Sequence, residues 1–129
     1  HIDIYILILI AVLLIIFLTE LNSNTATVAT FTPILIIFAI GLEINPLFLV
    51  IPTTIAASCA FMLPIATPPN AVIFGSGQLD IKDMIKAGIG LNIISALVVS
   101  ILSIIILNLF FGLQITSIPD WALSGKINK

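Results

Sequence analysis

Arginine is absent from this sequence of 129 residues, and its four lysines all lie beyond residue 81. Nucleic-acid binding needs a basic face that neutralises phosphates, so that class is excluded. Cysteine is nearly absent as well. Cys59 stands alone, which removes a disulfide scaffold. Charged residues make up 8% of the chain, against about 25% in an ordinary soluble domain. What fills the space is apolar: 60% of residues are hydrophobic and the mean hydropathy is +1.34. Such a composition excludes a disordered tail. It also leaves too little polar surface to cover a water-soluble core, so the bilayer is the expected solvent. No metal-ligand cluster, nucleophile triad or phosphate loop is present, and an enzyme reading has no support in the sequence.

The ten charges are Asp3, Glu20, Glu43, Asp80, Lys82, Asp83, Lys86, Asp120, Lys126 and Lys129, which leaves 21–42, 44–79 and 87–119 uncharged. Apolar segments recur to residue 118, which does not fit a removable signal peptide. A spanning helix needs about 20 apolar residues, so the chain holds at most about five membrane elements. It begins at His1 without an initiator Met, and reads as a piece of a longer protein.

The first apolar run, Ile4 to Leu18, is short. It reaches about 22 Å, against a hydrocarbon core of about 30 Å. It stops at the dense polar break Thr19-Glu20-Leu21-Asn22-Ser23-Asn24-Thr25. A second run follows, Ala26 to Leu42, with Thr27, Thr30, Thr32 and Pro33 inside it and Gly41 as a natural stop. Two short runs joined by a tight polar break point to a helical hairpin dipping into the membrane from one side. Two ordinary spans joined by a surface loop are the alternative. Asn45-Pro46 predicts a helix start, with Asn45 as N-cap and Pro46 at the first helical position. The run Leu47 to Leu63 then meets Pro64-Ile65-Ala66-Thr67-Pro68-Pro69-Asn70, which no helix survives. Apolar residues resume at once, so the stretch reads as a discontinuous helix, 46–63 and then about 69–77. Such irregular backbone survives at membrane depth only where protein or a wet cavity surrounds it. Asp80, with Asp83 three residues on, resembles a capping box. Met84 to Leu113 is the clearest full span, and Gly88 and Gly90 would let a neighbouring helix approach closely. The polar tail that follows carries Trp121, a candidate interfacial anchor.

The two breaks are the candidate site, because short or proline-interrupted apolar segments point to a transporter's binding site. A helix ending near Leu18 leaves carbonyls of partial negative charge, which suit Na⁺ together with the Thr19 and Ser23 hydroxyls and the Asn24 amide oxygen. A helix starting near Ala26 leaves N–H groups that suit an oxyanion. The Ala66–Asn70 break is expected to repeat this, with free carbonyls before it and N–H groups after Pro69. No Lys falls within either break, so an anion held there would meet backbone dipoles, hydroxyls, amides and a bound cation. Plainer readings stand beside these. Ser23-Asn24-Thr25 also reads as a helix cap, and Thr67-Pro68-Pro69-Asn70 as an external turn. Glu20 reads as a solvated loop charge or the partner of a Lys elsewhere, and Thr27, Thr30 and Thr32 as hydroxyls satisfying backbone near Pro33. Cys59 reads as a small apolar packer.

At these two breaks the sequence resembles the divalent anion:sodium symporter family, the dicarboxylate, citrate and sulfate transporters. The matching residues are Thr19-Glu20-Leu21-Asn22-Ser23-Asn24-Thr25-Ala26-Thr27 and Leu63-Pro64-Ile65-Ala66-Thr67-Pro68-Pro69-Asn70-Ala71. The first is similar to the family's second Ser-Asn-Thr signature at a re-entrant hairpin tip. The second is similar to the unwound loop of the broken helix that follows it. The resemblance spans essentially the whole chain, as the C-terminal portion of the second inverted repeat. It implies that Ser23, Asn24, Thr25, Thr67 and Pro68 contact the substrate, and that Thr19, Ser23, Asn24 and Ala66 form one of two sodium sites. It further implies a homodimer working as an elevator, with Lys82 and Lys86 on the cytoplasmic side. The family's first half lies outside this chain, so half the substrate site and one sodium site do too, and the piece alone is not expected to transport.

The resulting expectation is an all-α polytopic protein of the cell membrane, part of an inverted-repeat elevator transporter. It has a re-entrant hairpin over 1–41, a broken transmembrane helix over 42–79, a last transmembrane helix over 80–113 and a polar tail over 114–129. Its expected function is secondary transport of a small divalent anion, a C4-dicarboxylate before sulfate or citrate. No cofactor is expected beyond Na⁺ as coupling ion. The alternatives are a sodium-independent exchanger, a small membrane subunit without substrate, and a pore lined by the Thr-rich face.

Overall fold

A computed structural model describes residues 3–123; His1, Lys126 and Lys129 lie outside the described residues. The order is α1 (Ile4–Thr19), α2 (Asn24–Gly41), α3 (Leu47–Ala56), α4 (Pro68–Gly75), α5 (Ile81–Leu109) and α6 (Asp120–Leu123). The described residues are helical throughout, with no strand among them. Asp3 starts α1 by accepting the Tyr5 N–H at 3.0 Å. The run then buries Ile8, Val12, Ile15, Ile16 and Thr19 on one face. Its other face is equally apolar, yet Ile6, Ile10, Leu14 and Phe17 stay exposed. A helix greasy on all sides suits lipid or a large protein core, not water.

Helices α1, α3 and α5 pack against one another in a triangle, while α2 leans on α3 and scarcely touches α1. The inner face of α5 is built from small and polar residues about one turn apart: Gly88, Asn92, Ala96, Ser100 and Ser103 are buried, with Met84 and Leu107 at the two ends. That narrow stripe lets α5 approach its neighbours closely, and its Ile and Leu residues point outward. Helices α2 and α5 are each long and apolar enough to cross a membrane. Helix α2 therefore gains no support as a short hairpin arm from length alone.

Several boundaries differ from those read in the sequence. Helix α3 ends at Ala56 rather than Leu63, seven residues earlier and before any of the three prolines at 64–69. The cause is tertiary, because the backbone beyond it is bonded to side chains of other elements, described below. Asn45 does cap α3, but as an Asx turn with its Oδ1 accepting the Leu47 N–H at 3.1 Å and Pro46 just before the helix. Helix α2 stops at Gly41, while the left-handed residue that turns the chain is Glu43, at φ 58°. Asp80 precedes α5 without a side-chain cap bond, so the capping box is not formed. Helix α5 ends at Leu109, four residues before the expected Leu113. Gly112 takes φ 60° there, and the Leu113 N–H returns to the Leu107 carbonyl at 3.0 Å.

The hydroxyls expected near Pro33 do not act as foreseen. Thr27 Oγ1 is buried without a partner among the described residues. The role falls instead to Thr53 and Thr54 around Pro52, donating to the Leu49 carbonyl at 2.6 Å and the Val50 carbonyl at 2.7 Å. Cys59 is half-buried, with its thiol 3.7 Å from the Ile55 carbonyl. Trp121 stands exposed on α6.

Candidate functional site

The two polar breaks, 42 residues apart between Thr25 and Thr67 in the chain, come together in space. They line one open cavity of about 860 Å³. Ser23, Asn24, Thr25 and Asn22 form one wall, and Pro64, Ala66, Thr67 and Pro68 form the other. No charged side chain lines it. Of the seven residues assigned to the site, Ser23, Asn24, Thr25, Ala66, Thr67 and Pro68 are on this lining, and Thr19 lies just behind it, fully buried. A second opening, an apolar groove of about 390 Å³ between α1 and α5, lies elsewhere and has Ser100 and Tyr5 as its polar members.

The turn between α1 and α2 is set by its own sequence. Ser23 is the N-cap of α2: its Oγ accepts the Ala26 N–H at 3.1 Å and its carbonyl accepts the Thr27 N–H at 2.9 Å. The N–H groups of Asn24 and Thr25 have no partner among the described residues, and they sit at the positive end of an 18-residue helix. The opposite wall differs from expectation. Pro68 and Pro69 carry no N–H, and the next one, from Asn70, is taken by the Thr67 hydroxyl at 3.4 Å. Helix α4 therefore offers no free backbone donor at its start, and of the two helices that begin at the cavity only α2 presents free N–H groups. What Thr67 contributes is its own hydroxyl proton, since its oxygen already accepts from Asn70.

Beside the tip lies a group of oxygens. Thr19 Oγ1 is 2.7 Å from Asn24 Oδ1 and 3.0 Å from the Ala57 carbonyl. One hydroxyl proton faces two acceptors, so three oxygens crowd around a single hydrogen. The Ala66 carbonyl accepts no hydrogen bond among the described residues. Hard oxygen donors with little competing hydrogen bonding suit an alkali cation, and a residue not foreseen, Ala57, belongs to this group.

The loop between α3 and α4 is held by three polar side chains that the sequence reading left out of the site or read differently. Glu20 is 3% exposed, so it is not a solvated loop charge, and no Lys pairs with it among the described residues. Its Oε1 accepts the Met62 N–H at 2.9 Å and the Asn92 Nδ2 at 2.7 Å, and its Oε2 accepts the Leu63 N–H at 3.0 Å. Asn92 Oδ1 accepts the Phe61 N–H at 3.1 Å. Asn70 Nδ2 donates to the Ala60 carbonyl at 3.0 Å and the Leu63 carbonyl at 2.9 Å. Five backbone groups of an unwound segment are thus satisfied by side chains, which a buried irregular segment requires. Gly88 completes the arrangement: a Cβ there would lie 2.5 Å from the Phe61 oxygen and 2.6 Å from the Met62 Cα. Gly88 therefore admits loop backbone rather than a neighbouring helix, while Gly90 faces open space.

Residues 1–126 match the family described as the sodium:sulfate symporter transmembrane region. The chain belongs to this symporter family. It is 41% identical over 121 residues to the human Na(+)/dicarboxylate cotransporter 3, covering 94% of this chain and 20% of that protein. It is 37% identical over 111 residues to the sodium-dependent dicarboxylate transporter SdcS of Staphylococcus saprophyticus, covering 86% of this chain and 21% of the relative. Human solute carrier family 13 member 1 is 47% identical over 95 residues, covering 74% of this chain and 16% of the relative. The chain thus spans about a fifth of the length of the curated relatives it matches. As a member of a transmembrane symporter family it is a membrane protein, which accounts for the exposed Ile, Leu and Phe of α1, α2 and α5.

Within this symporter segment, sequence reasoning named Glu20 and Asn70 without their role in holding the loop, and it passed over Asn92. Asn92 carried one signal: a lone amide at the centre of a 29-residue apolar helix is expensive in lipid and implies a partner inside the protein. Nothing in the sequence singled out Ala57, which acts through its carbonyl.

Proposed function

We propose that this segment works within a sodium-coupled secondary transporter of small divalent anions, dicarboxylate or sulfate, with a C4-dicarboxylate as the principal substrate. The observation that carries this is the uncharged cavity lined by Asn24, Thr25 and Ala66, where the free N–H groups of Asn24 and Thr25 open and where the Asn24 amide oxygen meets the Thr19 hydroxyl and, through it, the Ala57 carbonyl. Helix-end N–H groups and the hydroxyls of Ser23, Thr25 and Thr67 donate to anion oxygens, with Pro68 shaping the wall. Sodium occupies the oxygen group, with Thr19, Ser23, Asn24 and Ala66 as its ligands, and supplies the positive charge that the absent Arg and Lys do not. Sequence relatives whose names state sodium and dicarboxylate support the pairing of ions. In this reading 1–41 is a re-entrant hairpin, and the full-length protein is a homodimer that moves its transport domain as an elevator. An anion held without a paired cationic side chain releases readily, as transport requires.

The test is uptake of labelled succinate, sulfate and citrate by the full-length protein in proteoliposomes, with and without a sodium gradient. Sodium-dependent uptake of succinate above sulfate is expected, and Asn24→Ala should abolish it while the protein still reaches the membrane and melts cooperatively. Unchanged uptake in Asn24→Ala would remove the hairpin tip from the site. Uptake of equal rate without sodium would convert the reading to exchange.

A further inference from the structure

Glu20 is a buried carboxylate whose partners are all neutral: two backbone N–H groups and the Asn92 amide. No Lys or Arg compensates its charge among the described residues. Lys82 and Lys86, the lysines described, are exposed at the start of α5. A carboxylate buried with hydrogen bonds alone is costly unless something positive is nearby part of the time. The residue before it, Thr19, belongs to the oxygen group beside the hairpin tip, and the one after it, Leu21, lines the cavity. The same carboxylate holds the Met62 and Leu63 backbone, three residues ahead of the Ala66 carbonyl. Asn92, 72 residues away in the chain, fixes the carboxylate from α5 and takes the Phe61 N–H as well.

We propose that Glu20, oriented by Asn92, is the positioning residue that sets cation affinity at the hairpin tip. It does so by pinning the unwound 60–63 backbone and by adding, behind the oxygen group, one negative charge that no Lys or Arg compensates among the described residues. It does not ligate the cation: its oxygens are filled by three donors. The inference rests on the proposed sodium-coupled function, and it assigns to the one charge of the tip a task that the uncharged lining cannot perform. Two charges separated by several ångströms in a partly buried site couple strongly enough to shift binding by an order of magnitude.

The experiment is sodium-dependent anion uptake by the full-length protein in proteoliposomes, normalised to protein inserted. Half-saturating sodium is measured at saturating anion, and anion KM at saturating sodium. Glu20→Gln should raise half-saturating sodium about tenfold, equivalent to about 1.4 kcal/mol, while anion KM at saturating sodium changes less than about twofold. Asn92→Ser, which keeps the charge but frees the carboxylate, should raise half-saturating sodium by a smaller factor, about threefold, equal to roughly 0.65 kcal/mol. Glu20→Asp should restore part of the Gln loss. If Gln does not insert, Asn92→Ser carries the test. Unchanged half-saturating sodium in the inserted variants, with only the maximal rate reduced, overturns the proposal and leaves a structural strut. A wild-type protein without sodium-dependent uptake overturns the function itself, and is thereby distinguished from failure of this inference.

Discussion

Replacing Gly88 by alanine asks how firmly the unwound segment is seated on α5. The added Cβ would stand 2.5 Å from the Phe61 oxygen, 2.6 Å from the Met62 Cα and 2.7 Å from the Met62 nitrogen, where ordinary contact begins at 3.4 Å. All three atoms are backbone, so no side chain can swing aside, and the loop must retreat by about 0.9 Å. The Met62 N–H bond to Glu20, 2.9 Å long, and the Phe61 N–H bond to Asn92, 3.1 Å long, would be pulled toward the limit of hydrogen bonding. Overpacking of this kind costs about 1–3 kcal/mol, and backbone obstruction places it at the upper end. Alanine returns about 1 kcal/mol of helix propensity, leaving a net loss of about 2 kcal/mol. Gly90→Ala is the control. Nothing lies within 4 Å of its Cβ, so only the propensity gain remains. Melting of the full-length protein in detergent and uptake in proteoliposomes should separate the pair. Gly88→Ala is expected to melt below wild type and transport at least about tenfold more slowly, the rate equivalent of about 1.4 kcal/mol. Gly90→Ala is expected to match or exceed wild type in both. Equal melting and equal uptake for the two variants would refute the claim that loop backbone sits against Gly88.

Thr67→Val removes both the cap of α4 and a hydroxyl of the cavity wall, and should lower uptake at a stability cost of about 1 kcal/mol; Thr67→Ser, which keeps both, should transport near wild type. With Cys59 first replaced by Ala, cysteines placed singly at positions 24 and 67 of the full-length protein should react with a bulky impermeant thiol reagent to an extent that depends on sodium, anion and conformational state. Full reaction at both positions under every condition would make both breaks ordinary surface turns.

How far the sequence disclosed this arrangement varies with the kind of interaction. The breaks themselves were legible, because Ser23 and Thr67 act locally as N-caps and two prolines set the start of α4. The start of α1 was legible as the start of an apolar run, whereas α5 begins at Ile81 beside Asp80 without the side-chain cap bond that the sequence suggested. The end of α3 was not. Ala57-Ser58-Cys59-Ala60 contains no helix breaker, and propensity alone would carry the helix to Pro64. The helix yields there because Glu20, Asn92 and Asn70 offer the Ala60–Leu63 backbone better-placed partners, a tertiary effect involving residues up to 43 positions away. The expected N–H donors of α4 failed for a local reason that was available: two successive prolines and a capping threonine leave no free N–H in that first turn.

The distribution of charge around the cavity bears on the order in which ions bind. Its lining is neutral, the free N–H groups of α2 carry only a fraction of a charge, and the one formal charge behind the tip, Glu20, is negative. A divalent anion entering such a cavity meets weak attraction from the helix end and repulsion from the carboxylate. A cation held among the Thr19, Asn24 and Ala57 oxygens, as proposed, would reverse that balance by offsetting the carboxylate charge and attracting the anion. In the proposed site the cation would take the place of the Thr19 hydroxyl proton between its two acceptors and hold Asn24 Oδ1, leaving Asn24 Nδ2, which has no partner among the described residues, to donate to the anion. A fixed Arg or Lys in place of this device would bind the anion whether or not sodium were present, and the two fluxes would be uncoupled. In the proposed function, a segment without arginine fits coupling, because the positive charge holding the anion would be one that the site gains and loses.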